Sequence, residues 1–153
     1  MWEKIFSHDV TGGVFKDVED VKNKNENDEN AKLFSILDKL ENCRNPATKK
    51  FHFKLCYPDL NSKCNEWLQA SNPVTEERIE GFNPIKLDFP TDTLSNPFVG
   101  LGLSPVNFDQ TLIDANPENQ FYWFSIGAME ELATGKIPGP SAVSKVEFFV
   151  KPF

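Results

Sequence analysis

Five Asn-Pro dipeptides divide this chain into short segments. They are Asn45-Pro46, Asn72-Pro73, Asn83-Pro84, Asn96-Pro97 and Asn116-Pro117. Asparagine tolerates turn conformations, while proline fixes φ and cannot donate a hydrogen bond to a neighbouring strand. The segments between these corners are rich in Phe, Val, Ile, Leu and Trp. This pattern is typical of many short strands joined by tight turns.

The chain of 153 residues suits a single domain, residues 1–153, with an all-β fold and one helix. The helix is predicted at 31–41, where Leu33, Ile36, Leu37 and Leu40 follow the helical i, i+3, i+4, i+7 spacing. Eight or so strands and one helix favour an antiparallel β-sandwich or a jelly-roll-like arrangement. We expect the first and last strands to lie side by side.

Alternation of apolar and polar residues locates the strands. They are predicted at 2–6, 51–57, 65–71, 85–89, 98–103, 121–126 and 145–150. Within 51–57, Phe51, Phe53, Leu55 and Tyr57 share one face, and His52, Lys54 and Cys56 share the other. Successive side chains of a strand point to opposite sides of the sheet. We therefore expect the aromatic face to be buried and the other face to be partly wet.

The charge balance excludes some classes of partner. Asp and Glu outnumber Lys and Arg by 23 to 16, which gives a net charge of −7. Because a phosphate backbone requires cationic side chains, nucleic acid is not an expected partner. No run approaches the roughly 18 apolar residues of a membrane-spanning helix. The first residues carry no signal peptide, and we expect a secreted, extracellular protein from which a signal has been removed.

Three cysteines bear on whether the protein is extracellular. Cys56 and Cys64 are separated by turn-forming residues, so a hairpin would bring them within bridging range. The alternative is a pair of buried free thiols. Cys43 is then left as a free thiol or an intermolecular link.

The strongest candidate binding site surrounds Trp67. Trp67 and Gln69 alternate on one face, Glu66 lies next to them, and Asn72 follows at the end of the strand. An indole stacks on the apolar face of a sugar, while amides and carboxylates bind its hydroxyl groups. The alternative is that Trp67 belongs to the core and that Glu66 and Asn72 satisfy turn backbone.

A second candidate lies in the aromatic run 121–124. Tyr122 and Trp123 must point to opposite faces of a strand. Either both faces are covered, or one face binds a ligand or a partner. With Phe121 and Phe124, this run motivates a carrier for a small apolar ligand or a pigment.

The acidic segment 16–30 is a candidate calcium loop. Asp20, Asn25 and Asp28 would supply the oxygen ligands that Ca²⁺ prefers. The segment lacks the spacing of an EF-hand, and charge runs are commonly just solvated. No other cofactor is expected.

Several motifs also resemble those of an uncharacterised extracellular module. They are W-x-x-I-F-x-H-D at 2–9, L-F-S-I-L-D at 33–38, F-H-F-K-L-C-Y-P at 51–58, N-E-W-x-Q-x-S-N-P at 65–73, L-I-D at 112–114, W-F-x-I-G at 123–127 and V-x-K-V-E at 143–147. The module recurs in secreted and cell-surface proteins of invertebrates, particularly cnidarians, molluscs and other marine animals. The resemblance covers 2–150. Because the module accompanies adhesive and lectin-like domains, the resemblance implies an extracellular binding role, with no catalytic residues to carry over.

Together these observations favour a secreted, non-enzymatic binding module that recognises a glycan or glycoconjugate in a lectin-like way. The alternatives are the apolar-ligand carrier and a structural or matrix protein. The matrix alternative predicts self-association into homo-oligomers. A hydrolase is the least favoured, since only the abundance of carboxylates suggests it.

Overall fold

The computed structural model of the chain describes residues 1–104, 110–115 and 124–153. Within them, nine strands form two antiparallel sheets, together with one short α-helix. The strands are β1 (Glu3–Asp9), β2 (Leu33–Ser35), β3 (Phe51–Tyr57), β4 (Lys63–Gln69), β5 (Asn83–Leu87), β6 (Gly102–Leu103), β7 (Thr111–Asp114), β8 (Ile126–Ala128) and β9 (Lys145–Val150). The helix, α1, is Val18–Lys22, and 3-10 helices occupy Val10–Gly12, Leu37–Cys43 and Pro58–Leu60. The all-β class predicted from the sequence is confirmed.

The larger sheet has six strands in the order β2-β1-β9-β3-β4-β5. β1 pairs with β9 in antiparallel fashion, and Glu3 lies opposite Val150. This pairing confirms that the first and last strands are neighbours. β3 and β9 have the bounds that the alternation predicts.

One face of this sheet is lined by aromatic side chains and forms the core. Phe51, Phe53, Leu55 and Tyr57 of β3 are all fully buried, as is Phe148 of β9. The rings of Phe53 and Phe148 lie 4.9 Å apart between centroids. Each such ring removes about 150–250 Å² from water, so the inner face supplies a large part of the stabilising apolar burial.

The helix predicted at 31–41 is wrong. Its first part is strand β2, and Leu37–Cys43 is a 3-10 helix. Phe6 lies opposite Ser35 in the ladder with β1, and the Ser35 hydroxyl donates to the carbonyl of Val21. Strand pairing therefore satisfies the backbone hydrogen-bonding groups of β2, and tertiary context overrides the helical spacing of the apolar residues. The only α-helix of the described residues lies instead within 16–30, for which the sequence predicts a solvated loop or a calcium loop.

A disulfide joins β3 to β4. Cys56 and Cys64 are directly opposite in the ladder, and their sulfurs are bonded at 2.07 Å. The turn between the strands places Asn61 and Ser62 in the left-handed region, at φ 62° and 55°. The predicted disulfide is confirmed, and Cys43 is a free thiol.

The smaller sheet has three strands in the order β6-β7-β8. Its buried Ile113 and Ile126 belong to the same apolar cluster as Trp67 and Phe148 of the larger sheet. β6 covers the last two residues of the strand predicted at 98–103, and no strand was predicted at β7. β8 begins at Ile126, the last residue of the strand predicted at 121–126, of which 121–123 lie outside the described residues. The strand predicted at 85–89 occupies Asn83–Leu87. A face-to-face sandwich or jelly roll stays a prediction.

Candidate functional site

Trp67 lies in the core and not on a binding surface. Its side chain is fully buried, and its ring meets that of Phe98 edge-on, with centroids 4.7 Å apart. The rings of Phe53 and Phe148 complete its surroundings. Because stacking on a sugar requires an exposed ring face, the structure does not support the predicted sugar-stacking role of Trp67.

The Gln69 side chain links Trp67 to the backbone of Ser71 and Leu101 inside the protein. Its Oε1 accepts from Trp67 Nε1 at 2.9 Å and from the Leu101 amide at 3.0 Å. Its Nε2 donates to the carbonyl of Leu101 at 2.7 Å and to that of Ser71 at 2.9 Å. A Cβ on Gly100, whose φ is +102°, would lie 2.6 Å from this Oε1, so glycine is required there. Gln69 is fully buried and is a core residue, which corrects its assignment as a ligand contact.

Asn72 shapes a turn, as the alternative interpretation of the sequence proposed. Its Oδ1 accepts from the Val74 amide at 2.9 Å, and its Nδ2 donates to a carboxylate oxygen of Glu41 at 2.8 Å. The side chain is almost fully buried. Its polar atoms are therefore used inside the protein and do not face a ligand.

Glu66 is the one member of the predicted sugar site that lies on the opposite side of the sheet. We call this side the outer face; it carries Glu66 and Leu68 of β4, His52 and Lys54 of β3, and Phe149 of β9. There Glu66 Oε2 lies 2.7 Å from Nε2 of His52, and both side chains are partly exposed. The structure thus separates Glu66 from Trp67, because adjacent residues of a strand point to opposite faces.

Tyr122 and Trp123 lie outside the described residues, as does Phe121. Phe124 is described and buried, and its ring packs against Phe98 with centroids 5.1 Å apart. Phe124, which was predicted to line a cavity for an apolar ligand, therefore packs in the core. The role of Tyr122 and Trp123 stays a prediction.

The three predicted calcium ligands make separate local contacts. Asp20 is paired with Lys24 at 3.6 Å, Asp28 accepts from the Asn30 amide at 3.1 Å, and Asn25 donates to the carbonyl of Leu33 at 2.8 Å. Within residues 1–104, 110–115 and 124–153, no group of three or more His, Cys, Asp or Glu side chains is placed to hold a metal. Calcium binding stays a prediction.

A groove opens at one end of the outer face. Its volume is about 450 Å³. It is lined by Asn45, Thr48, Lys50, Phe51, His52, Leu68, Lys151, Pro152 and Phe153. The groove joins the loop before β3, the adjoining ends of β3 and β4, and the segment that follows β9.

Backbone pairing places His52 between Leu68 and Lys151 in the groove. Leu68 of β4 lies directly opposite His52 on one side. On the other side, the Lys151 amide donates to the His52 carbonyl at 2.9 Å. The floor is therefore held by backbone hydrogen bonds, and its side chains are positioned by the sheet itself.

A cation–aromatic layer flanks the floor. The Lys54 ammonium lies 4.6 Å from the centre of the Trp2 ring and 4.9 Å from that of Phe149. The Trp2 ring also meets the His52 imidazole edge-on, with centroids 4.9 Å apart. These contacts fix the imidazole between an aromatic ring and the Glu66 carboxylate. The His52 side chain, which lines the groove, is thus held in place by its neighbours, and such pre-organisation lowers the entropic cost of binding.

The second histidine, His8, is closed to solvent. Its Nε2 donates to the Gly13 carbonyl at 2.9 Å, and its ring packs edge-on against Phe15. Nδ1 has no hydrogen-bond partner among the described residues. Burial lowers the pKa of His8. Because a general acid or base must reach its substrate, His8 supports no catalytic role.

Sequence reasoning missed the groove as a site. The alternation in β3 had placed His52 on the wet face, which is correct. It could not place Lys151 beside His52, since this proximity depends on the pairing of β3 with β9, which is distant in sequence. An isolated His-x-Lys pair facing solvent was the one available signal.

Comparisons of this chain with models of known protein families, with curated proteins and with solved structures find no match. In the part of the chain that the structure describes, no helix has the length and apolar character needed to cross a membrane.

Proposed function

We propose that this protein is an extracellular, non-enzymatic binding module that recognises carbohydrate in a lectin-like way, through the groove at the His52 end of the outer face. The proposal keeps the function predicted from the sequence and moves its site. Of the predicted contacts, Glu66 remains next to the groove, while Trp67, Gln69 and Asn72 are internal.

The observation that carries the proposal is the composition of the groove. The ring of Phe153 is 71% exposed, and with Leu68 and Pro152 it offers an apolar ledge. Asn45, Thr48 and the His52 imidazole offer hydrogen-bonding groups beside it. A sugar has an apolar ring face edged by hydroxyl groups, so it matches a site that joins these two kinds of surface.

The disulfide supports an extracellular location. Disulfides form and persist in oxidising compartments and are rare in the cytosol. The Cys56–Cys64 bond lies in the hairpin whose other end contributes His52 and Leu68 to the groove. An extracellular module would thus carry its stabilising crosslink in the element that presents the ligand.

A glycan array tests the proposal, with and without a chelator to include calcium. Hits are then titrated against Phe153→Ala and against Leu94→Ala, whose side chain is 62% exposed and does not line the groove. We expect Phe153→Ala to weaken binding by about 1 kcal/mol, the scale of one ring contact, and Leu94→Ala to have no effect. A folded sample that binds no glycan in either arm contradicts the proposal, and so does equal loss in both variants.

A further inference from the structure

We infer that the groove selects short acidic carbohydrates, those with a carboxylate or sulfate group, over neutral ones. This inference rests on the proposed function and names its ligand class. It follows from the charges around the groove and not from its apolar ledge.

The lining of the groove is cationic in an acidic protein. Lys50 and Lys151 line it, and none of the described residues that line it has an acidic side chain. Lys54 lies next to His52 on the same face, two residues along β3. Two lysines thus line the groove and a third lies beside His52, next to the Glu66 carboxylate, in a chain of net charge −7.

The lysines of the groove are not neutralised by the protein. Lys50 donates to the amide oxygen of Asn83 at 2.7 Å, a neutral partner that leaves its charge uncompensated. Lys151 lies 5.9 Å from the centre of the Trp2 ring. Neither forms an ion pair with a carboxylate of the described residues, whereas Lys4, further along the outer face, is paired with Glu147 at 3.0 Å. An anionic group in the groove would therefore meet two ammonium groups that are not paired with a carboxylate of the described residues.

The Glu66 carboxylate is turned toward His52. It accepts from the imidazole at 2.7 Å, and so part of its charge is engaged beneath the groove. His52 can then present Nδ1 as an acceptor for a sugar hydroxyl, since Nε2–H is used by Glu66. The floor thus suits a hydroxyl group, while the lysines at its sides suit the anion.

Net charge limits the size of the ligand. A long polyanion or an anionic membrane would extend beyond the groove and meet the negative field of the whole chain. A short oligosaccharide engages only the local cationic patch. Exposed ion pairs are worth about 0.2–1 kcal/mol each and weaken with salt, so we expect modest, salt-sensitive selectivity.

Calorimetric titration of matched oligosaccharides tests the inference. The probes are a galactose oligomer, its sulfated form and a galacturonic acid oligomer of equal length, at low and at high salt. We expect the two acidic probes to bind about tenfold more tightly than the neutral one at low salt, with the difference shrinking at high salt. Vesicles with and without an anionic phospholipid form a separate arm.

Charge-matched variants locate the effect. The pair Lys50→Met/Lys151→Met removes the two ammonium groups and keeps their aliphatic chains, while Lys63→Met/Lys136→Met removes two exposed charges elsewhere. Only the first pair of substitutions should abolish the preference for the acidic oligosaccharides. Equal binding of neutral and acidic probes, unaffected by either pair, overturns this inference and leaves the proposed function standing. Binding to anionic vesicles without binding to any soluble sugar overturns both, and so does the absence of any binding.

Discussion

At the scale of single residues, the burial of polar groups decides which side chains serve the fold and which are available to a ligand. Gln69 is the clearest case, since all its described hydrogen bonds are directed inside the protein. Its sequence neighbourhood resembles a sugar site because an amide and an indole can bind a glycan together, and can equally hydrogen-bond to each other inside a core. Only the side of the sheet on which they lie distinguishes the two cases.

His8 makes folding stability depend on pH. Burial lowers its pKa below the ordinary value of 6.5. At pH values between the lowered pKa of folded His8 and 6.5, the unfolded chain binds more protons than the folded one. The free energy of unfolding therefore rises with pH in that range. We expect stability to fall as the pH drops from about 6.5 towards the lowered pKa, with a slope of at most about 1.4 kcal/mol per pH unit, and to level off below it.

Urea unfolding between pH 7 and pH 5 measures this slope. His8→Gln, whose amide can still donate to the Gly13 carbonyl, should lose it. Asp9 and Glu41 have pKa values lowered by hydrogen bonds from Thr11 and Arg44, so their contribution begins at lower pH. The same slope in wild type and in His8→Gln would show that His8 does not carry the dependence.

At the scale of elements, the β3–β4 hairpin links stability to the candidate site. Its seven residue pairs run from Phe51 opposite Gln69 to Tyr57 opposite Lys63. The disulfide lies near the turn, and the groove lies at the open end. Loss of register by one residue would move Phe51 and Phe53 out of the core and His52 into it.

Removal of the disulfide should weaken the fold without changing the groove. For the short loop it closes, the chain-entropy model gives a loss of about 2.5 kcal/mol in Cys56→Ser/Cys64→Ser. Chemical denaturation with circular dichroism measures this loss, and glycan titration at a temperature where the variant is folded measures binding. A control, Cys43→Ser, should leave the denaturation midpoint nearly unchanged, because Cys43 is a partly exposed free thiol. A double variant as stable as wild type contradicts the expectation.

At the scale of the whole molecule, the remaining question from the sequence is self-association. The structural or matrix alternative used Cys43 as an intermolecular link. Burial and the neighbouring Glu3 raise the pKa of this thiol to about 11, and its Sγ donates to a carboxylate oxygen of Glu3 at 3.8 Å. Because of this raised pKa, little of Cys43 is thiolate near neutral pH. The thiolate is the reactive form of cysteine, so Cys43 reacts slowly there.

We therefore expect Cys43 not to crosslink chains. Sedimentation velocity at pH 7.5, with and without reductant, should give the same molar mass, and Cys43→Ser should match both. A heavier species that disappears with reductant and is absent from Cys43→Ser would favour the matrix alternative over the binding module.

The sequence alone determined the all-β class, the inner face of β3, the pairing of the terminal strands and the disulfide. The class, the inner face and the disulfide follow from short-range physical rules: period-two alternation, turn chemistry, and the proximity that a hairpin imposes. The pairing of the terminal strands was expected because the termini of such domains often lie side by side. The tertiary structure decided the rest. Residues 31–41 have a helical period, but β1 offers β2 a hydrogen-bonded ladder, and pairing between distant segments is invisible to local pattern. The assembled sheet also placed Trp67 in the core, and the groove formed where the β3–β4 hairpin meets the segment after β9, which is distant in sequence.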